Sequence, residues 1–248
     1  MTATLKALSL LLVYPTEDIR DAMPEVARII QSEGLIDEPQ LSKLTKIIGD
    51  IGGGDIYDLQ ERYVLLFDRT RSLSLHLFEH VHGEGRERGP AMVDLQELYE
   101  QHGLEIDRPE LPDFLPMFLE FLSTLPLPEA RSLLGEMLHI VTAIKQRLKK
   151  RRSPYATVFR AIEVVAKGTA SAADVAELMA APDPDPDNLE ALDEAWEDKP
   201  VMFGNGTGGS VAPGGGCPAV RETLSRIDPG PGAAPDAEAA TSEKRIVS

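Results

Sequence analysis

The residues of this chain predict an all-α fold, with a single compact multi-helix domain over residues 1–181 and a long disordered, acidic, Pro/Gly-rich tail over 182–248. Three observations lead there. Apolar residues recur at helical steps of three and four throughout residues 1–181, without the sustained apolar–polar alternation of a half-buried strand. At Pro182 the composition changes, because Pro182-Asp183-Pro184-Asp185-Pro186-Asp187 alternates ring and charge and cannot continue a helix. The 67 residues from 182 onward hold 9 Pro and 9 Gly, the composition of a chain that buries too little to order itself.

Taken in order, the apolar run from Ala7 to Tyr14, broken only by Ser9, is far shorter than the roughly 20 residues of a bilayer span. It also lacks the basic lead and cleavage site of a signal peptide, so the chain reads as unexported and cytoplasmic, with no integral membrane segment. Helix starts are expected at Thr16 ahead of Glu17-Asp18, Asp37 ahead of Pro39, Asp55 ahead of Ile56 and Ser72 ahead of Leu73. Pro24 should kink or split its helix, and Gly52-Gly53-Gly54 reads as a helix-ending hinge. A further helix is bracketed by Pro90 and Gly103. The clearest amphipathic stripe is Ala130, Leu133, Leu134, Met137, Ile140, Val141, Ile144 and Leu148, which predicts one long helix over 128–150 opened by Pro128. About nine helices with short loops result, and no fixed-period repeat points to a solenoid.

Charge and cysteine count remove several function classes. A net charge of -16 argues against nucleic-acid binding, which needs clustered Lys and Arg to neutralise phosphates. The acidity is shared: the tail carries 13 acids against 5 bases, the remainder 28 against 20. The single cysteine, Cys217, lies in the tail, where nothing holds a partner base beside it, and it excludes a disulfide framework. The basic run Lys145, Arg147, Lys149, Lys150, Arg151 and Arg152 sits where cations face the negative end of a helix; an acidic partner or an anionic membrane surface is the alternative.

His76, Glu79, His80 and His82 form the densest polar cluster. His76 and His80, four apart, would share a helix face as a two-histidine metal site does, but the order does not match HExxH and no thiol lies nearby. The alternative is that these imidazoles line a polar groove or satisfy helix-end carbonyls near Gly83. Neither catalytic nor metal residues are assigned, and no cofactor is expected to stay bound. The stretch from Glu110 to Leu122 is apolar and punctuated by Pro112 and Pro116. Its Phe114, Met117, Phe118 and Phe121 could be core, or could line a groove for an amphipathic peptide.

Tyr63-Val64-Leu65-Leu66-Phe67-Asp68, then Leu73 to Gly83, then Arg86-Glu87-Arg88-Gly89 with Ala91 to Leu95, and finally Glu110 to Pro116, together resemble the nitrate reductase molybdenum cofactor assembly chaperones of the NarJ type. The likeness runs from about Leu8 to Ala180 and is densest between Tyr63 and Leu122. It implies the all-helical fold shared with the TorD and DmsD chaperones. It also implies a system-specific, non-catalytic role in assembling a respiratory nitrate reductase used in nitrate assimilation and anaerobic respiration. Such a chaperone binds the N-terminal segment of the apo catalytic (alpha) subunit, keeps it competent for molybdenum cofactor insertion and is absent from the final enzyme. Molybdenum cofactor biosynthesis proteins would be further partners. A general helical peptide-binding adaptor and a histidine-metal enzyme are the alternative readings.

Carried over residue by residue, the resemblance places client-peptide binding on Tyr63, Phe67, Asp68, His76, Phe78, Glu79, His80, His82, Arg86, Arg88, Gly89, Glu110, Pro112, Asp113 and Phe114. Acids and imidazoles suit a basic peptide terminus, and Phe and Met suit its apolar face. Phe114 stands where the family is expected to carry Tyr, so that hydroxyl is missing here. With three histidines together, client affinity should depend on pH near 6 to 7, since an unperturbed imidazole titrates at about 6.5. In the tail, residues 187–197 could form a short helix with Leu189, Leu192 and Trp196 on one side, and Val201-Met202-Phe203 adds apolar character. Residues 187–203 are expected to dock transiently, on the chain's own groove or on the client.

Overall fold

The structure is a computed structural model and describes residues 2–83, 85–107 and 110–183, with the backbone of 245–247. The first helices are α1 (Ala3–Leu10), α2 (Glu17–Asp21), α3 (Met23–Glu33), α4 (Glu38–Gly52) and α5 (Ile56–Tyr63). A π-helical turn over Val64–Asp68 continues α5, and a 3-10 turn covers Arg71–Leu73. There follow α6 (Leu77–His82), α7 (Arg88–Gln101), β1 (Leu104–Ile106), α8 (Leu115–Thr124), α9 (Leu127–Glu136), α10 (Leu138–Lys150), α11 (Ala156–Ala166) and α12 (Ala172–Ala180). β2 (Arg245–Val247) pairs in parallel with β1, Leu104 lying opposite Arg245. The expected helix at 187–197 lies outside the described residues.

Local chemistry accounts for the helix ends. Thr16 Oγ1 accepts from the N–H of Ile19, an Asp37 carboxylate oxygen from Gln40, and Asp55 from Tyr57 and Asp58. Each side chain thereby satisfies donors that the first helical turn leaves without partners. Pro24 splits its helix as expected: α2 stops at Asp21, and Pro24 occupies the first turn of α3, where its missing N–H does no harm. After α7, Gly103 turns the chain into β1 with φ +74, a conformation that a Cβ disfavours.

The twelve described helices exceed the nine expected in part because one expected helix is divided. The helix over 128–150 is broken at Met137 (φ -90, ψ 1), so α9 and α10 are separate elements. Gly135 weakens the helix just before the break, and the N–H of Met137 turns back to Leu134 O at 3.2 Å. The apolar stripe survives the break because each piece still buries its share: Ala130 and Leu134 from α9, Ile140, Val141, Ile144 and Leu148 from α10.

α8 is the centre of the core. Every residue from 115 to 122 is buried, which marks a helix surrounded by protein rather than one facing solvent. Burying each large apolar side chain of this kind is worth about 1.5–3 kcal/mol. α1 lies along α8, joined by Thr2 N–H to Ser123 O (2.8 Å), Ser9 Oγ to Pro116 O (2.8 Å) and the Lys6–Glu120 ion pair. Next outward, α1 packs on α3, α3 on α4 and α4 on α11, while α10 lies between α11 and α12. Among the described residues no helix is long and apolar enough to cross a membrane.

Candidate functional site

The helix expected to start at Leu73, behind Ser72, starts four residues later at Leu77. Residues 74–76 are extended because they pair with the segment before α8: Leu115 N–H donates to Leu75 O (2.8 Å), Leu77 N–H to Asp113 O (3.0 Å), and His76 bridges Phe114 in antiparallel fashion. His76 therefore stands at the N-cap of α6 and does not share a helix face with His80. It has no capping side chain of its own, and Asp113 takes that part from another segment. Asp113 is fully buried; its Oδ2 accepts from Phe78 N–H at 3.0 Å, and its Oδ1 lies 3.1 Å from His76 Nδ1. A carboxylate at a helix N-terminus satisfies an open N–H and faces the positive end of the peptide dipoles.

Around Asp113 the charges alternate. Arg88, the first residue of α7, places an NH2 nitrogen 3.3 Å from Glu79 Oε1 and 3.9 Å from Asp113 Oδ2. Burial works against a charge on His76, but the hydrogen bond and charge of Asp113, helped by Glu79, win and raise its pKa above the ordinary value. His80 moves the other way: burial lowers its pKa, and its Nε2 donates to Ser74 O at 2.8 Å. Burial lowers His82 too, whose Nε2 has no hydrogen-bond partner among the described residues. The three imidazoles thus do not act as one titrating cluster; His76 alone favours the charged form.

The other carried-over residues fall into three groups. His76 and Phe114 stack at 5.4 Å with Glu79 and Arg88 beside them, while Asp68, at the surface, feels the charges of both His76 and Glu110. Partial burial, reinforced by Glu110 and opposed by His76, raises the Asp68 pKa. Tyr63, Phe67, Phe78 and Pro112 are buried scaffold. Tyr63 donates its hydroxyl to Leu12 O at 3.0 Å, and the chain of rings Tyr63, Phe67 and Tyr155 has centroids 5.1 Å apart at each step. Arg86 is exposed ahead of α7 and Gly89 is exposed in its first turn, where a Cβ would meet nothing within 4 Å. The π-helical turn matters because its extra residue carries Asp68 off the α5 spiral, with Arg69 N–H reaching Val64 O at 3.1 Å.

Two residues outside that set hold the site. Ser74 supplies Oγ to His76 N–H at 3.2 Å and its carbonyl to His80. Tyr99, buried in α7, donates to Pro112 O at 2.7 Å and so fixes the loop that carries Asp113. Tyr99 carries no local mark, because its partner lies 13 residues away, whereas Ser74 acts within six residues of itself. Among the described residues no group of three or more His, Cys, Asp or Glu side chains is arranged to hold a metal ion.

The outward surface of this arrangement combines acids at Asp68, Glu79 and Glu110 with apolar Phe114 and Leu111, the latter 44% exposed. Such a surface can hold a segment carrying both positive charge and apolar side chains, and the buried Asp113 keeps its two halves in register.

Residues 25–161 match the family model described as nitrate reductase delta subunit. The chain is similar to the nitrate reductase molybdenum cofactor assembly chaperone NarJ of Escherichia coli (strain K12), 40% identical over 195 residues that cover 79% of this chain and 82% of that one. The probable nitrate reductase molybdenum cofactor assembly chaperone NarW of the same strain is 37% identical over 199 residues, covering 80% and 83%. The probable assembly chaperone NarJ of Bacillus subtilis (strain 168) is 33% identical over 159 residues, covering 64% of this chain and 85% of its own. The chain belongs to the nitrate reductase delta subunit family, that of the NarJ-type nitrate reductase molybdenum cofactor assembly chaperones.

Proposed function

We propose that this protein is a chaperone of respiratory nitrate reductase assembly. It binds the N-terminal segment of the apo catalytic subunit at the surface around His76, keeps the subunit competent for molybdenum cofactor insertion, and leaves before the enzyme is complete. It works in the cytoplasm by binding and not by bond making, and cofactor biosynthesis proteins meet it on the client. Family membership and the relatives' names support the client. The observation that carries the surface is the Asp113 clamp, which sets a protonatable His76, Glu79 and the Phe114 ring together on one face. Acids there pair with a basic terminus, and the apolar residues accept one face of a helix or turn.

Calorimetric titration of the full chain with a synthetic peptide copying the N-terminus of the cognate catalytic subunit, beside a scrambled peptide, tests this. The true peptide alone should bind, and Asp68→Asn with Glu110→Gln, both exposed, should weaken it without loss of fold. Equal binding of both peptides, or of neither, would sink the N-terminal reading. Pull-downs from cofactor-deficient and cofactor-replete cells separate chaperone from adaptor, since only a chaperone prefers the empty client.

A further inference from the structure

On a different face of the molecule, α10, α11 and α12 enclose an open groove of about 510 Å³, and a second hollow of about 380 Å³ extends it toward α4. The two share Lys145 and Arg160, so they form one furrow along α10 from Leu138 to Lys149. No residue of the His76–Asp113 cluster lines it. The floor is apolar, with Leu138, Val175 and Met179, and the rim is basic: Lys43, Lys145, Lys149 and Arg160 against one carboxylate, Glu163. That carboxylate is already engaged, accepting from Thr142 Oγ1 at 2.7 Å and Arg160 at 3.0 Å and pairing with Lys145. Lys43 and Lys149 project into solvent. On a chain of net charge -16, a furrow with this excess of cations over an apolar floor calls for an acidic amphipathic occupant.

We infer that the furrow between α10, α11 and α12 is the docking site of the chain's own segment 187–203. The charges are complementary: Asp187, Glu190, Asp193, Glu194, Glu197 and Asp198 crowd one stretch whose apolar members, Leu189, Leu192 and Trp196, recur at steps of three and four. The lengths agree, since at about 1.5 Å per residue the furrow from Leu138 to Lys149 spans about 16.5 Å and a helix over 187–197 about 15 Å. The starting point agrees as well. Asp183 is anchored beside the C-terminal end of α10, accepting from Arg151 at 2.6 Å and Ser72 at 2.7 Å. From there the four steps to Asp187 reach about 14 Å when extended, so the segment starts near the end of α10 at which Lys149 lines the furrow. Isolated, so short a helix is marginal; an apolar floor and a basic rim supply what it lacks.

Trp196 is the single tryptophan of the chain, so its fluorescence reports on this segment alone. In the full-length protein its emission should be blue-shifted and its quenching by acrylamide several-fold weaker than in free tryptophan amide. The exposed substitutions Lys43→Glu with Lys149→Glu, and separately Ala176→Glu, should move both readings toward the free amide, as should high salt. The independent control Lys46→Glu, on α4 outside the furrow, should leave them unchanged. A Trp196 with the properties of the free amide in the unsubstituted protein would overturn the inference. So would a shielded Trp196 indifferent to the furrow substitutions, which would put the segment on another surface. Client-peptide binding plays no part in these readings, so they succeed or fail independently of the proposed function.

Discussion

Asp113 Oδ1 lies 3.1 Å from His76 Nδ1, a contact between residues 37 positions apart that ties the start of α6 to the start of α8. The same carboxylate caps α6 through Phe78 N–H, so a single buried group sets the protonation of one side chain and the position of a helix.

Histidine titration should therefore split. His76, with its pKa raised in the folded chain, contributes stability that is fully present below the unfolded value of about 6.5 and is lost as pH rises through its folded pKa. His80 and His82, lowered by burial, contribute stability present above about 6.5 and lost as pH falls toward their folded values. Ring-nitrogen NMR across a pH series should find His76 titrating last on the alkaline side; His76 titrating together with His80 would refute the assignment.

Replacing Asp113 by Ala should lower stability by about 1–3 kcal/mol, because the buried Phe78 N–H loses its acceptor and His76 its partner. Asp113→Asn, which keeps an oxygen for Phe78, should lose less. Urea midpoints order the two variants, and equal losses would mean that charge alone matters.

Arg147 is the buried member of the basic run, 1% exposed, donating to Ser72 O at 2.9 Å and Leu178 O at 2.6 Å. Arg147→Met should leave Ser72 O without its donor and Leu178 O with the Ala181 N–H alone, lowering stability by about 1–3 kcal/mol and loosening α12. Limited proteolysis should then cut near α12 first; unchanged cleavage would show that the helix holds without the arginine.

Glu163 accepts from three side chains, and although burial opposes it, the donors Lys145, Thr142 and Arg160 hold its pKa below the usual carboxylate range. Its contribution is present above the unfolded value of about 4.3 and lost as pH falls through the folded one. Glu163→Gln should lower stability at pH 7 by about 1–3 kcal/mol and flatten the acid limb of the stability profile. A variant with an unchanged acid limb would place the acid sensitivity elsewhere.

Much of the fold was legible before any coordinates. The capping residues Thr16, Asp37 and Asp55 act through donors within three residues of themselves, so each is visible in a local window. Pro24 and the Gly52–Gly54 stop are equally local. Ser72 failed as a cap because a partner outside the window decided it, the strand-like pairing with 113–115; 128–150 failed as one helix at a local break, where Gly135 precedes Met137 and the Met137 N–H turns back to Leu134 O. The site divides in the same way. The clustering of His76, Glu79, Asp113 and Phe114 could be expected from the strings that carry the family resemblance. That His80 turns inward to Ser74 O, and that Tyr99 fixes Pro112, could not.

What the residues by themselves determined about this protein is its helical class, most of its helix starts and stops, its acidity and its family, since these depend on periodicity, capping and strings of adjacent residues. What only the tertiary structure decided is which ionisable groups share a low-dielectric neighbourhood. Asp113 becomes a cap for α6, His76 a favoured cation and Arg147 a buried strut only when segments distant along the chain close on one another. The energies of these groups come from burial and hydrogen bonds at about 3 Å, which chain order does not encode.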